Sequence, residues 1–234
     1  MATPIPAQNI SGLIALIIYT ILPITYWTTE YHAARGYTPS YSYRNDFTSN
    51  LGIPYAGIDK FTEERIFSAR ARLMNMNFIF NGLHFLGAAI CFTAATSRTF
   101  NSRFITARLI AAGLYCIGII LVAAVPGGPK EKQNGTASWH LLGALLAIAG
   151  GNVNSLVTGM AAPANRMIYK SICLLLGSLG LLAFAIFLGR RAPEGRDNGL
   201  WQRAAIYPTL VWEICTAVFL VQDMSREPES KKQQ

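Results

Sequence analysis

The sequence predicts an all-α, polytopic membrane bundle of about six spans, and three observations point there. Of the 234 residues, 52% are hydrophobic and only 14% charged; soluble domains usually carry about 25% charged residues. Mean hydropathy is positive, at +0.31. The apolar residues also fall into blocks, each about as long as the roughly 20 residues a helix needs to cross a bilayer core.

The first block, Ile10–Tyr26, is expected to stay as a span. Residues 1–9 carry no Lys or Arg, and no small-residue cleavage pattern follows. The second runs over Leu73–Thr96, the third over Phe104–Val125 and the fourth over Trp139–Met160. The fifth covers Met167–Leu188 and the sixth Ala204–Val221. What remains is one long connection, about Trp27–Arg72, short loops, and a polar tail, 223–234, expected to be flexible. Residues 1–222 therefore read as a single bundle with no room for a second domain.

The long connection is too aromatic for a disordered linker. It holds Trp27, Glu30, Tyr31, Tyr37, Tyr41 and Tyr43, followed by the run Arg44 to Gly52. Asp46 and Ser49, three apart, fit a polar cap before a short helix. Loops longer than about 15 residues tend to be functional or disordered. This one is expected to pack on the membrane surface, with its rings at the headgroup level, or to fold over the bundle as a lid.

Net charge is +8, but the Lys and Arg residues sit mostly at span ends and in loops, as orientation signals do. No nucleic-acid partner is predicted from them. More of them lie on the side of the long connection (Arg35, Arg44, Arg70, Arg72, Lys130, Arg190 among others) than on the side of the termini, so the long connection is placed in the cytosol. The sequons at Asn9 and Asn134 fall on opposite sides and read as chance matches. Cys91, Cys116, Cys173 and Cys215 each lie within a span, without ligand-type spacing or a disulfide framework, and read as small apolar residues.

Inside a membrane the informative residue is the polar one, because it costs free energy unless it faces a partner or a cavity. Glu213 lies near the middle of the sixth block, beside Trp212 and beyond Tyr207-Pro208. It is either a proton donor held neutral by its surroundings or a structural acid bonded to a neighbouring helix. In the second block Asn77, Asn81 and His84 follow i, i+4, i+7 and share a helix face, as a cavity wall or an interhelical seam would. In the fourth, His140, Gly143, Ala147, Gly151 and Asn154 form a stripe whose small residues admit a close helix neighbour; Asn152 or Asn154 could cap a pocket. Asp46 and Glu30 are further acids near the membrane boundary.

Several motifs are missing. The chain has no H-E-x-x-H, C-x-x-C, Walker loop, dinucleotide fingerprint or D-D-x-x-D pattern. His32, His84 and His140 lack the spacing of membrane metal enzymes. Neither a metal nor another cofactor is expected.

Two resemblances add to this reading. Ser49-Asn50-Leu51-Gly52, Met74-Asn75 with Asn81-Gly82, Pro126, and His140-Leu141-Leu142-Gly143-Ala144 followed by Gly150-Gly151-Asn152 occur in order. With Arg203, Tyr207-Pro208 and Trp212 they resemble a family of uncharacterised multi-pass proteins of bacteria and fungi. Asn50 stands where that family more often has Asp, which removes an acid from the position. In size, span pattern and composition the chain also resembles the fungal membrane-bound terpene cyclases of meroterpenoid pathways, the ascofuranone and macrophorin kind.

The second resemblance implies proton-initiated cyclisation of a farnesyl chain, or its epoxide, on a lipophilic prenylated substrate drawn from membrane lipid. It places Glu213 or Asp46 as the acid, and Asn77, Asn81, His84, His140, Asn152, Tyr207 and Trp212 around the substrate. In a eukaryotic host the endoplasmic reticulum is the expected membrane. A transporter of small solutes or lipids, or a structural membrane protein, is the alternative; the lack of a clear internal repeat weighs against a secondary transporter.

Overall fold

The computed structural model describes residues 7–58, 65–190 and 196–230. Six helices are long and apolar enough to cross a membrane. They are α1 (Ala7–Ala34), α2 (Ala71–Thr96), α3 (Ile105–Ala124), α5 (Ala137–Ala161), α6 (Met167–Gly189) and α7 (Asn198–Ser230). A short α4 (Pro129–Asn134) caps the loop before α5, with Pro129 in its first turn, where the missing N–H costs nothing. The fold is thus an all-α polytopic bundle.

The helices close into a ring in which α1 packs on α2, α2 on α3, α3 on α5, α5 on α6, α6 on α7 and α7 back on α1. Large apolar side chains, among them Ile17, Met76, Ile110, Ile117, Ile168 and Leu182, stand exposed on the outside. On a soluble protein such a surface would drive aggregation; against lipid it is the expected exterior. The inside holds aromatic rings, small residues and a set of buried polar side chains that includes Glu30, Asn81, Arg108, Asn152 and Glu213.

The seam between α3 and α5 is the tightest. A methyl group at Gly143 would lie 2.8 Å from the Gly118 carbonyl oxygen and 3.0 Å from the Val122 nitrogen. At Gly150 it would lie 2.6 Å from the Tyr115 nitrogen. Backbone touches backbone along two turns, as small residues permit.

Three boundaries differ from the sequence expectation. α1 continues past Tyr26 to Ala34, so Trp27 and Glu30 are helical. α7 continues to Ser230, where a flexible tail from Asp223 was expected; residues 231–234 lie outside the described residues. The long connection shrinks to residues 35–70, of which Asp59, Lys60, Glu63 and Glu64 lie outside the described residues.

This connection folds over one end of the ring. Strands β1 (Tyr37–Thr38), β2 (Gly57–Ile58) and β3 (Arg65–Ser68) make a small antiparallel sheet in the order β1-β3-β2, with Tyr37 opposite Ser68 and Gly57 opposite Ile66. Between β1 and β2 a 3-10 turn, Thr48–Gly52, dips into the bundle and buries Thr48 and Leu51. The lid reading of the loop describes this arrangement, although its rings also lie at the bundle rim.

Candidate functional site

The clearest concentration of chemistry lies where the loop meets α1 and α7. The Glu30 carboxylate and the Arg203 guanidinium form an ion pair of 2.7 Å, with side chains 2% and 7% exposed. Glu30 Oε1 also accepts from Arg203 Nε at 2.9 Å and from Thr48 Oγ1 at 3.0 Å, and Oε2 accepts from Tyr207 at 2.7 Å. Arg203 Nη1 donates to the carbonyls of Tyr43 (2.7 Å), Asp46 (3.0 Å) and Gly199 (3.1 Å). Its Nη2 reaches the Tyr41 hydroxyl, and burial pushes the Tyr41 phenol above the usual tyrosine range. The pair is well satisfied, as a buried pair must be to persist. It clamps the loop to the bundle, helped by the Thr48 N–H, which donates to Gln202 Oε1 at 2.7 Å.

Under this clamp lies a narrow cleft inside the ring. Thr48, Ser49, His140, Gln202 and Thr209 are among its polar lining residues; Tyr26, Phe78, Tyr115, Ile119, Ile206 and Leu210 are among its apolar ones. It holds about 50 Å³ of free volume, room for a few waters, so a larger guest must displace part of its wall. His140 Nδ1 bonds the Val125 carbonyl at 2.7 Å, which fixes the ring and leaves Nε2 as the variable nitrogen. Beside the cleft mouth, Tyr55 of the loop bonds the Glu131 carboxylate of α4, and the Lys130 ammonium sits 4.1 Å from the ring centroid. Burial first, then the bond to Glu131, push the Tyr55 phenol up to about 12.

Glu213 lies one turn beyond Thr209, which lines the cleft. Its side chain is fully buried, and neither carboxyl oxygen has a hydrogen-bond partner among the described residues. Around it stand aromatic rings. Tyr19 and Trp212 meet edge to face at 5.5 Å, Phe85 lies 4.3 Å from Tyr115 and 6.0 Å from Trp212, and Tyr19 and Tyr115 are within electrostatic reach of the acid. An acid so placed is shut off from bulk solvent, forms no ion pair among the described residues, and stands among rings whose π-clouds stabilise cations.

The other sequence candidates separate. Trp212 is fully buried and donates Nε1–H to Cys173 Sγ at 3.3 Å. Tyr207 belongs to the clamp. Asn152 fastens α5 to α7: its Nδ2 donates to the carbonyls of Ile148 (2.8 Å) and Ala205 (2.9 Å). Asn77 and Asn81 are buried and bonded to each other at 3.0 Å, leaving Asn77 Nδ2 and Asn81 Oδ1 unpaired.

His84 does not join Asn77 and Asn81. The buried arc of α2 is centred on Met74, Phe78 and Phe85, so His84 falls over its edge onto the exposed side, where Nδ1 bonds the Phe80 carbonyl at 2.8 Å. Asp46 is not at the cleft either. Its carboxylate accepts the Ser42 N–H at 2.7 Å and shapes the loop.

Sequence reasoning missed Gln202, Thr48 and Arg108. The first two look like ordinary loop and helix-end residues. Arg108 was detectable, as a lone arginine inside an apolar block. Among the described residues no group of His, Cys, Asp and Glu could hold a metal ion.

A family model described as "Protein of unknown function (DUF998)" matches residues 32–219. No curated protein and no solved structure matches the chain.

Proposed function

The chain belongs to the DUF998 family of proteins of unknown function; from the site geometry we propose that it is an integral membrane terpene cyclase. It acts on a prenyl chain, or its terminal epoxide, carried by an aromatic or cyclohexenoid head. One observation carries the reading: Glu213 is a fully buried, unpaired carboxyl among Tyr19, Phe85, Tyr115 and Trp212. A protonated acid in such a place is a proton donor with no water to compete.

The prenyl tail enters the cleft between Tyr26, Phe78, Tyr115 and Leu210 and displaces the inner wall towards Glu213. The polar head stays at Thr48, Ser49, Gln202 and His140. Glu213 gives its proton to the terminal alkene carbon or the epoxide oxygen. The new cation is attacked by the next alkene, which forms a ring carbon–carbon bond. The last cation loses a neighbouring proton to the Glu213 carboxylate, which restores the acid, so the net change is isomerisation and no electrons are gained or lost. Protonation ionises no diphosphate, in keeping with a sequence that lacks the D-D-x-x-D pattern.

The experiment is to express the chain in microsomes and supply a farnesylated phenol and its terminal epoxide. Cyclised product is expected from the wild type and from Asp46→Asn, and loss of at least a hundredfold from Glu213→Gln. Full turnover by Glu213→Gln removes the assignment of the acid. Substrate that crosses proteoliposomes unchanged supports the transporter alternative instead.

A further inference from the structure

Arg108 is a second buried charge, and unlike Arg203 it has no acid. It lies one turn inside α3 and is 2% exposed. Its Nη2 donates to Thr93 Oγ1 at 2.8 Å, while Nε and Nη1 have no partner among the described residues. The guanidinium stands 4.9 Å from the centroid of Phe92 and 5.9 Å from that of Phe100. No described carboxylate pairs with it.

Unpaired polar atoms gather around it. Asn154 Nδ2 holds the Arg108 carbonyl at 2.7 Å, and Asn154 Oδ1 is free. One turn along the same face of α5, Thr158 Oγ1 is free, and so is the Tyr19 hydroxyl, within electrostatic reach of Arg108. All three side chains are fully buried.

We infer that Arg108, Tyr19 and Thr158 form a binding site for a small monovalent anion, distinct from the loop-side cleft. An arginine is not deprotonated in proteins, so its charge persists. Water would satisfy the N–H groups but not the charge, and an uncompensated buried charge is strongly destabilising. The free groups are mostly donors, which suits an anion. One guanidinium balances one negative charge; a dianionic phosphate would leave a second charge buried.

The site also has an approach. On the face of the bundle that carries the termini, a cavity of about 250 Å³ is lined by Thr99, Phe100, Pro163, Arg166, Phe219 and Asp223 among others. Phe100 is shared, since one side of it bounds this cavity and Arg108 lies over its ring. Phe100, packed on Phe92 and Phe219, thus lies between this cavity and the guanidinium. The anion is either free or the carboxylate head of an amphiphile.

The test is thermal unfolding of the whole chain in nanodiscs, at constant ionic strength, with gluconate replaced by bromide, acetate or decanoate. The midpoint of the wild type is expected to rise by about 5 °C at saturation. Response to bromide and acetate identifies a free anion; response to decanoate alone identifies an amphiphile head. Arg108→Met is expected to lose the response and Tyr19→Phe to weaken it at least tenfold in half-saturating concentration. If Arg108→Met does not fold, Arg108→Lys is expected to show the same weakening. A wild type indifferent to all three anions overturns the site, as does an Arg108→Met or Tyr19→Phe protein that responds like the wild type. A Glu213→Gln protein that loses stability while the wild type ignores anions makes Glu213 the counter-charge and overturns it too.

Discussion

Glu30 and Arg203, 173 positions apart in the chain, meet 2.7 Å apart beneath the loop and share a single carboxylate oxygen with the Thr48 hydroxyl. The bond joins the first helix, the last helix and the loop at one point.

Removing one partner of this pair leaves the other charge buried. Glu30→Leu or Arg203→Met should each destabilise by about 3–5 kcal/mol. The double variant should cost less than the sum, because no lone charge remains. Chemical or thermal unfolding in detergent measures all three. Strictly additive losses would mean that the two side chains act separately.

Glu213 is expected to cost stability rather than supply it. Its two oxygens are buried without a hydrogen-bond partner among the described residues, which costs free energy. Glu213→Leu should therefore raise stability by about 1–3 kcal/mol, whatever it does to turnover. Residues kept for chemistry commonly show this trade. A destabilised Glu213→Leu protein would reveal a hidden partner.

The α3–α5 seam makes opposite predictions for two glycines. Gly143→Leu should cost about 3 kcal/mol or more by driving the backbones apart. Gly113→Ala, where nothing lies within 4 Å of the new methyl group, should gain about 0.5–1 kcal/mol from helix propensity. Unfolding midpoints of the two variants check the contrast; similar values would contradict the packing.

The link between Tyr55 and Glu131 should respond to alkali. The Tyr55 phenol is held at about 12, above the ordinary 10.0, so the folded chain keeps this proton more tightly than the unfolded one. Its contribution is complete below pH 10 and is lost as the pH climbs through about 12. Ultraviolet titration of the wild type minus Tyr55→Phe reads the phenol directly. Glu131→Gln should lower its midpoint, and titration near 10 in the wild type would refute the contact.

The spans were legible because crossing a bilayer demands length and apolarity together, and both are local properties. The end of α1 was not. Glu30 and Trp27 look like loop residues until Arg203 arrives from the far end of the chain to neutralise one of them. Glu213 was legible for the same reason the spans were: a carboxyl in an apolar block stands out. His84 misled, because a shared helix face does not say how wide the buried arc is. Arg108 carried the same kind of signal as Glu213, but the surrounding α3 block is so apolar that it reads as a span without it. Gln202 and Thr48 carry no local mark, since their meeting depends on a loop folding back across 154 positions.

The contact of Gly118 with Gly143 sets which parts of the cleft can yield. Two helices in backbone contact behave as one stiff stave, so Ile119, Val122 and Ala147 form a fixed mould. For the substrate proposed above, space would be gained on the opposite side, by easing the latch at Glu30 or tilting the start of α7. On the reading proposed above, guest size and ease of entry fall to different residues. Trading bulk at Ile119 or Ala147 alters the first, while the strength of the latch tunes the second.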